Sequence, residues 1–385
     1  MRVLFISDAD AYYGAPKAML EMIISLKKLY NVEPVVFTSQ KSVVNKFCEE
    51  HNIENYVTYH RGFLYDKGNL SFRYVTKNLL RFFRYKIDNI IALNLAEKYV
   101  DFNTIDLIHS NSDRNDLGIE LSIKHNIPHI LHIRECVRFH SFRNNFVDYL
   151  NRNAGACIAI SECVKKDWIE LGIKPDLLYT VYDGIDLDDI PVKDKYDNSV
   201  LKIVCVGSLN IAQKSQDRII QAMDYLPENL KDSVRLDFIG EGEDEEFLKQ
   251  MARHSTVKNI NFLGYRKDVR ELLKNYDIGI MSSGKEAFGR TTIEYGAAGL
   301  AVLATHCGAN IELVNDGVTG ILYDYDDSVD LAKKINMLYY DNELRRRLGI
   351  EARKKAIAYY SKELNASNVF ELYQERLKKR ESDAK

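Results

Sequence analysis

Two glutamates around the start of a predicted helix are the side chains of this chain best suited to chemistry. Seven residues separate Glu286 from Glu294, and the run Tyr276 to Met281 before them is typical of a buried strand. A helix that begins near Phe288 directs its free N–H groups and partial positive charge at the preceding loop, where a phosphate can bind. Glu294 then lies ~9 Å further along the axis. One carboxylate on each side of a diphosphate predicts a site for a nucleotide-sugar, because both its ribose and its sugar carry vicinal diols.

Length and composition bound the class of protein. The 385 residues suit two domains, and 46% hydrophobic with 28% charged residues suits a globular protein. Lys plus Arg total 53 against 56 Asp plus Glu, so the charge gives no reason to expect nucleic-acid binding. The six cysteines lack a C-x-x-C pair and the nine histidines lack metal-ligand spacing, so we expect reduced thiols, no metal and no cofactor. The N-terminus resembles a first strand and not a signal peptide, and no run reaches ~20 apolar residues. These features predict a cytoplasmic protein.

Strand-like runs alternate with helix-length segments along the whole chain, which predicts an α/β fold with two doubly wound parallel sheets. A polar stretch without apolar periodicity lies between the two series. We therefore expect an N-terminal Rossmann-like domain over 1–183, a linker over 184–199, a C-terminal Rossmann-like domain over 200–358 and a terminal helical segment over 359–385. The expected strands are 3–7, 33–37, 105–109, 129–133, 156–160, 202–207, 235–239, 259–263, 278–281, 302–304 and 321–323.

The glutamate pair and the segments around it resemble the retaining glycosyltransferases of family 4. The pair matches the family motif, and four further segments occur in the family's order: 261–265, 268–269, 308–314 and 316–320. The resemblance implies the GT-B fold, with two Rossmann-like domains facing across a cleft and the terminal helix returning to the N-terminal domain. It also implies that the N-terminal domain binds the acceptor, the C-terminal domain binds the nucleotide-sugar, and no catalytic metal takes part.

The resemblance assigns donor binding to the C-terminal domain. Glu294 would hold the ribose, and Glu286 the donor sugar. The loop before the helix would offer backbone donors. The implied donor-binding residues are Gly14, Ser208, Lys214, Tyr265, Arg266, Glu286, Phe288, Gly289, Arg290, Thr291 and Glu294.

The loop after the first strand of the second series resembles the family's diphosphate-binding loop, which supplies an arginine and then a lysine. Lys214 matches, whereas Ser208 stands at the arginine position and one residue is inserted between them. A solvent-exposed lysine is the alternative. Losing the arginine removes a bidentate clamp, and Arg134 is the best candidate for a replacement cation.

Three residues at strand ends of the first series are candidates for the acceptor side. Arg134 and Glu135 occupy positions where many relatives carry His-Asp, and an arginine cannot act as a general base. A structural Arg134/Glu135 ion pair is the alternative. His109 fits an acceptor site and a packed core equally well. The catalytic candidates are Glu286, Lys214 and Arg134.

Two glycine-containing segments are weaker signals. Gly14 allows close backbone approach to the donor diphosphate or the acceptor, although a plain turn before Pro16 is the alternative. Gly284-Lys285 imitates a P-loop, but Glu286 stands where a Ser or Thr must hold magnesium, which argues against an NTPase. No G-x-G-x-x-G opens either half, which argues against an NAD-dependent enzyme.

The segment 61–87 carries seven basic residues and one acid. Arg73, Lys77, Arg81 and Arg84 fall at helical spacing beside apolar residues, which is typical of a basic amphipathic helix. It predicts peripheral contact with an anionic membrane surface, and a solvated basic face over a core stripe is the alternative.

The resemblance implies a hexosyltransferase that moves a sugar from a nucleoside-diphosphate-sugar, with UDP favoured over GDP, to a hydroxyl of a saccharide or lipid-linked saccharide. A bacterial cell-surface polysaccharide is the expected product. The alternatives are a GT-B epimerase or phosphorylase, and a non-catalytic GT-B partner subunit.

Overall fold

The chain divides into two compact units, one formed by 1–184 with 362–385 and the other by 185–361. The computed structural model describes residues 1–7, 14–61, 72–113, 116–137, 143–193 and 200–383, and the side chains of 72–82, 143–145 and 383 are not part of this description. The division falls directly after Gly184, so the described part of the expected linker belongs to the second unit from Ile185 onward, over 185–193.

The first unit is built on a parallel sheet of seven strands within the described residues, in the order β3-β2-β1-β4-β5-β6-β7. Its central strands read as continuous apolar runs because helices cover both faces of such a sheet. The strand order reverses between β1 and β4, where α/β sheets bind ligands beyond the strands' carboxyl ends. The strands are β1 Arg2–Ser7, β2 Glu33–Thr38, β3 Glu54–Val57, β4 Leu107–Ser110, β5 His129–Ile133, β6 Ala156–Ala159 and β7 Leu178–Thr180.

Helices pack on both faces of this sheet. Two separate apolar clusters, one on each side of β1 and β2, form its core. The helices of the unit before the division are α1 Ala15–Tyr30, α2 Val43–Glu50, α3 Phe72–Tyr99, α4 Leu117–His125, α5 Arg143–Asn153 and α6 Glu162–Leu171, with short 3-10 turns at Phe102–Thr104 and Pro175–Leu177.

The second unit repeats the arrangement with a parallel sheet in the order β10-β9-β8-β11-β12-β13. The reversal of strand order falls between β8 and β11. Its strands are β8 Leu201–Val206, β9 Val234–Ile239, β10 Ile260–Phe262, β11 Ile278–Met281, β12 Ala301–Thr305 and β13 Ile321–Tyr323. Its helices are α7 Ile211–Lys214, α8 Gln216–Asp224, α9 Glu245–His254, α10 Val269–Leu273, α11 Arg290–Ala297, α12 Asn310–Leu313, α13 Ser328–Tyr340 and α14 Asn342–Tyr359, with a 3-10 turn at Glu228–Ser233.

The last helix, α15 Lys362–Asp383, returns to the first unit and packs on α1. Tyr30 and Phe370 stack with ring centroids 4.2 Å apart, and Tyr373 is fully buried. The predicted helical start at 359 was wrong, because Tyr359 ends α14 and α15 begins three residues later. The α/β class and the two Rossmann-like parallel sheets are confirmed.

Four histidines among the described residues of the first unit are buried. Burial lowers the pKa of His60 to about 4 and that of His129 to about 3. Burial, and next the nearby Arg134 charge, hold the pKa values of His109 and His132 well below the ordinary range. Burial acts oppositely on a carboxyl group and raises the pKa of Asp116 to about 7. In the second unit, His254 and His306 are exposed.

We expect the first unit to lose stability before the second as the pH falls. Each buried histidine binds a proton more readily when unfolded, so stability falls as the pH drops below the unfolded pKa of ~6.5. At pH ~5.5 each buried histidine lowers the free energy of unfolding by roughly 1 kcal/mol. Asp116 acts in the opposite direction, because its raised pKa lets the folded state bind a proton first, and this offsets roughly 2 kcal/mol of the total loss. Hydrogen exchange at pH ~7.5 and ~5.5, corrected for intrinsic rates, measures each unit separately. Equal losses of protection in both units would contradict this expectation.

Candidate donor site in the second unit

The site segment runs from β11 through a loop into α11. Ile278 to Met281 are buried, and so are Ser282 and Ser283 directly after them. The strand therefore delivers the loop to the carboxyl edge of the sheet. Gly289, at φ +77°, precedes the helix in the left-handed region that glycine adopts readily. The helix accordingly begins at Arg290 and not near Phe288, so Glu294 lies about one turn into it.

Lys214 and Glu286 meet at this edge. The Nζ of Lys214 lies 2.7 Å from Oε2 of Glu286, and the two side chains are 26% and 16% exposed. Lys214 ends the single turn α7, and its backbone carbonyl accepts a hydrogen bond of 2.5 Å from the Ser282 hydroxyl. Two loops that are distant in sequence are thus joined by a side-chain ion pair and a backbone contact.

A third loop, which follows β12, fixes the backbone of Glu286. The N–H of Ala309 donates to the carbonyl of Glu286 at 2.9 Å. Gly308, at φ +58°, lies so close that a Cβ there would be 2.7 Å from both the nitrogen and the carbonyl oxygen of Glu286. A larger residue at 308 would have to displace the Glu286 backbone, so the position of the carboxylate depends on this glycine.

Buried hydroxyl and amide groups support the loop from below. Asn310 accepts from the Thr292 hydroxyl at 3.3 Å and donates to Thr305 Oγ1 at 3.0 Å. Thr305 in turn donates to the Ser283 carbonyl at 2.7 Å. All four residues are buried. This chain links the first turn of α11 to the end of β11, which holds the loop between them in one shape.

Glu294 has an arginine partner that the sequence patterns did not single out. The Nε and Nη2 of Arg270 lie 3.2 and 3.1 Å from Oε1 of Glu294, and both side chains are largely buried. Arg270 lies on α10, directly after the motif residues 268–269. The position of Arg270 beside a family motif was the only hint in the sequence that it belongs to the site. Its pairing with Glu294 is evident only from the folded structure.

The remaining donor-side candidates of this unit differ in exposure. Phe288 is buried and meets the Tyr360 ring edge-on at 5.9 Å. Tyr265 and Ser208 are exposed. Arg266 is held at the surface by Asp268, with contacts of 2.8 and 2.6 Å. The half-buried candidates Arg290 and Thr291 form the first turn of α11.

In the first unit, Arg134 belongs to a buried polar network. Its Nε donates to Asn111 Oδ1 at 2.7 Å, its Nη1 pairs with Asp183, and its Nη2 lies 3.3 Å from His132 Nδ1. The ion pair that the structure shows for Arg134 is formed with Asp183, whereas the alternative from the sequence named Glu135. The Arg134 guanidinium thus has a carboxylate partner inside its own unit.

His109 continues this network into the core. Its Nε2 lies 3.1 Å from His132 Nδ1, and its Nδ1 lies 2.6 Å from the Tyr373 hydroxyl. Arg134 and the neutral His109 can both donate to His132 Nδ1, so a consistent network has the tyrosine donating to His109. His109 is fully buried, which favours the core role over an acceptor role. Glu135 is half-buried after β5. Gly14 precedes α1 at φ +58°, and a Cβ added there would meet no atom of the described residues within 4 Å.

Within the described residues, no group of three or more His, Cys, Asp or Glu side chains could hold a metal ion. No helix in the same part of the chain combines the length and apolarity needed to span a bilayer. The residues 8–13, most of the loop that includes Gly14, lie outside the described part of the chain.

Two family profiles match consecutive parts of the chain. The profile described as Glycosyltransferase Family 4 matches residues 93–189, and the profile described as Glycosyl transferases group 1 matches residues 188–355. The second match contains Lys214, Arg270, Glu286 and Glu294.

Individual proteins agree with these profiles. EpsD of Bacillus subtilis, named as a glycosyltransferase, is 34% identical over 158 residues, 41% of each chain. The N,N'-diacetylbacillosaminyl-diphospho-undecaprenol alpha-1,3-N-acetylgalactosaminyltransferase of Campylobacter jejuni is 32% identical over 151 residues, 37% of this chain and 38% of that one. The chain thus spans less than half the length of both relatives. The crystal structure of Anabaena HepE with UDP shares the fold at a TM-score of 0.79 and 20% identity, covering 97% of this chain and 100% of that one. The chain therefore shares the GT-B fold, and two consecutive parts of it resemble glycosyltransferases.

Proposed function

We propose that this chain is a retaining hexosyltransferase that moves a sugar from a UDP-sugar to a hydroxyl of a saccharide or lipid-linked saccharide. The observation that carries the proposal is the Lys214–Glu286 pair at the carboxyl edge of the second sheet, 2.7 Å apart and only partly exposed. At this edge the lysine cation can bind a diphosphate, and the neighbouring carboxylate can accept hydrogen bonds from a sugar diol.

Lys214 supplies charge stabilisation to the leaving group. Negative charge grows on the departing diphosphate as the bond to the sugar breaks, and a cation already in place stabilises it without reorganisation. Glu286 holds the ammonium group through Oε2, and its other oxygen, Oε1, accepts hydrogen bonds from the donor sugar. The first turn of α11 adds its partial positive charge. Together, the lysine and the helix N-terminus stabilise the negative charge of the leaving diphosphate, and the proposed reaction needs no metal or cofactor.

Glu294 binds the ribose in this scheme. Arg270 occupies Oε1 with two hydrogen bonds, so Oε2 accepts those of the ribose diol. The fork of Arg270 fixes the plane of the carboxylate before the nucleotide arrives, which reduces the ordering cost of binding.

The preference for UDP and for a lipid-linked acceptor follows from relatives. Anabaena HepE has crystal structures with UDP and with UDP-glucose, and the name of the Campylobacter relative specifies a diphospho-undecaprenol acceptor. Retention follows from the family resemblance, with front-face attack and the departing phosphate accepting the acceptor's proton. We place the reaction at the cytoplasmic face of a membrane, in the synthesis of a cell-surface polysaccharide.

Glu294→Gln should weaken UDP binding by roughly 1.5 to 3 kcal/mol, because a charged acceptor of the ribose hydroxyls becomes a neutral amide. Isothermal titration calorimetry with UDP measures the change. Glu343→Gln, an exposed glutamate on α14, is the matched control and should bind as the parent does. An unchanged UDP affinity in Glu294→Gln would show that Glu294 does not bind the ribose.

The Arg270 contact should be coupled to ribose binding. Arg270→Gln should weaken UDP binding, and the double variant Arg270→Gln/Glu294→Gln should lose less than the sum of the two single losses, with a coupling of roughly 0.5 to 3 kcal/mol. Additive losses in this double-mutant cycle would show that Arg270 does not act through Glu294.

Lys214→Ala should lower turnover by roughly 100- to 1000-fold, with a much smaller effect on the KM for the donor, because the charge on the diphosphate is largest in the transition state. Release of UDP from UDP-sugars with acceptor present measures this. Lys202→Ala, at an exposed position of β8, is the control. Parental activity in Lys214→Ala would contradict a catalytic role for this lysine and favour the alternative of a solvent-exposed lysine.

A further inference from the structure

Helix α3 has one face that packs on the first unit. Tyr85, Asn89, Ala92 and Ala96 are buried on it at spacings of four, three and four residues. The two alanines join the apolar cluster around β1 and β2, and Tyr85 and Asn89 both donate hydrogen bonds to Asp116. This face orients the helix, so the opposite face of its second half is turned outward.

The outward face is apolar where a solvated helix would be polar. Phe83, Ile87, Ile90 and Ile91 are 57%, 56%, 58% and 46% exposed. At ~100° per residue these four positions cluster on one side of the helix, opposite the buried face. Amphipathic surface helices carry charged or polar residues on their outer face, so burial within this unit does not explain the three isoleucines. We call the side chains of Phe83, Ile87, Ile90 and Ile91 the α3 apolar stripe.

Basic side chains flank the stripe. Arg84 lies on one side of it and Lys86 on the other, and both are exposed. Asp88 forms ion pairs with both Arg61 and Arg84. One negative charge thus faces two positive charges, which leaves this border with a net positive charge. An apolar strip with a cationic border is complementary to a surface that has acyl chains beneath an anionic layer.

We infer that the α3 apolar stripe is a docking surface for an anionic lipid bilayer. The isoleucines enter the boundary between headgroups and acyl chains, ~5–10 Å deep, while Arg84 and Lys86 contact lipid phosphates. The helix lies on the bilayer and does not cross it. The inference stands on this surface and not on donor chemistry, and it deepens the proposed function by bringing the enzyme to the surface where a lipid-linked acceptor is held.

Sedimentation with phosphatidylcholine vesicles that contain phosphatidylglycerol tests the stripe. The partition coefficient of the triple variant Ile87→Gln/Ile90→Gln/Ile91→Gln should fall tenfold or more, because three apolar side chains are no longer transferred from water into the bilayer. The matched control changes three isoleucines of similar exposure elsewhere, Ile123, Ile311 and Ile357 at 55%, 51% and 52%, to Gln. It should sediment as the parent does.

The charged border is tested separately. Arg84→Gln/Lys86→Gln should reduce the partition coefficient by about fivefold per residue and flatten its dependence on salt. UDP affinity and the thermal melting temperature should stay at parental values in the stripe and border variants, which shows that each variant is folded. If the parent protein did not bind UDP, the result would contradict the proposed function and leave the inference about the α3 apolar stripe untouched.

Three results would overturn the inference. The first is a parent protein that does not sediment with anionic vesicles. The second is equal sedimentation with pure phosphatidylcholine, or equal loss in the control triple. The third is a concentration-dependent dimer in sedimentation velocity that the Ile87/Ile90/Ile91 triple abolishes while vesicle binding persists, since the stripe would then bind a second copy.

Discussion

The ion pair between Lys214 and Glu286 is the interaction on which the donor site depends. It joins positions 72 residues apart, and each partner is held by its own backbone: Lys214 through Ser282, and Glu286 through Ala309 with Gly308 beside it. A partly exposed pair of this kind adds little to stability, because water still screens the charges and ordering two long side chains costs entropy. Its value lies in position. A partly buried cation that is already oriented can stabilise developing charge, and the carboxylate that orients it remains able to accept a sugar hydroxyl.

The charged candidate residues of the two units differ in how far they are buried. In the second unit, Lys214, Glu286, Arg270 and Glu294 are paired but keep some exposure, so each carboxylate retains an oxygen for a ligand. In the first, Arg134 is enclosed and its donors are occupied by Asn111, Asp183 and His132. Removing one partner of such a buried pair is strongly destabilising because the other charge is left uncompensated. We therefore regard Arg134 as a residue that holds β5 and the chain near Asp183 together, and Lys214 as the cation available to a donor.

Local patterns predicted much of the fold and a smaller part of the site. The strands His129–Ile133, Ile278–Met281 and Ile321–Tyr323 have the predicted bounds, because continuous apolar runs mark strands covered on both faces. The edge strand Glu54–Val57 was missed, since it is largely polar and partly exposed. The start of α11 was placed two residues early because the left-handed Gly289 is not evident from residue types. Arg270 was missed for a different reason: its role depends on Glu294, 24 residues away, and only the folded chain brings them together.

Helix α3 shows where composition and structure give different information. The sequence patterns emphasised Arg73, Lys77, Arg81 and Arg84, but the side chains of the first three lie outside the described residues. Basic residues alone fit a solvated face as well as a membrane. Once Tyr85 and Asn89 are known to point at Asp116, the isoleucines of the same helix must point outward, and the question becomes why an exposed face is apolar. Attraction to anionic lipid is screened by salt, whereas burial of apolar surface is not. A surface that combines both attractions therefore stays bound to an anionic bilayer at salt concentrations that would release a purely basic face.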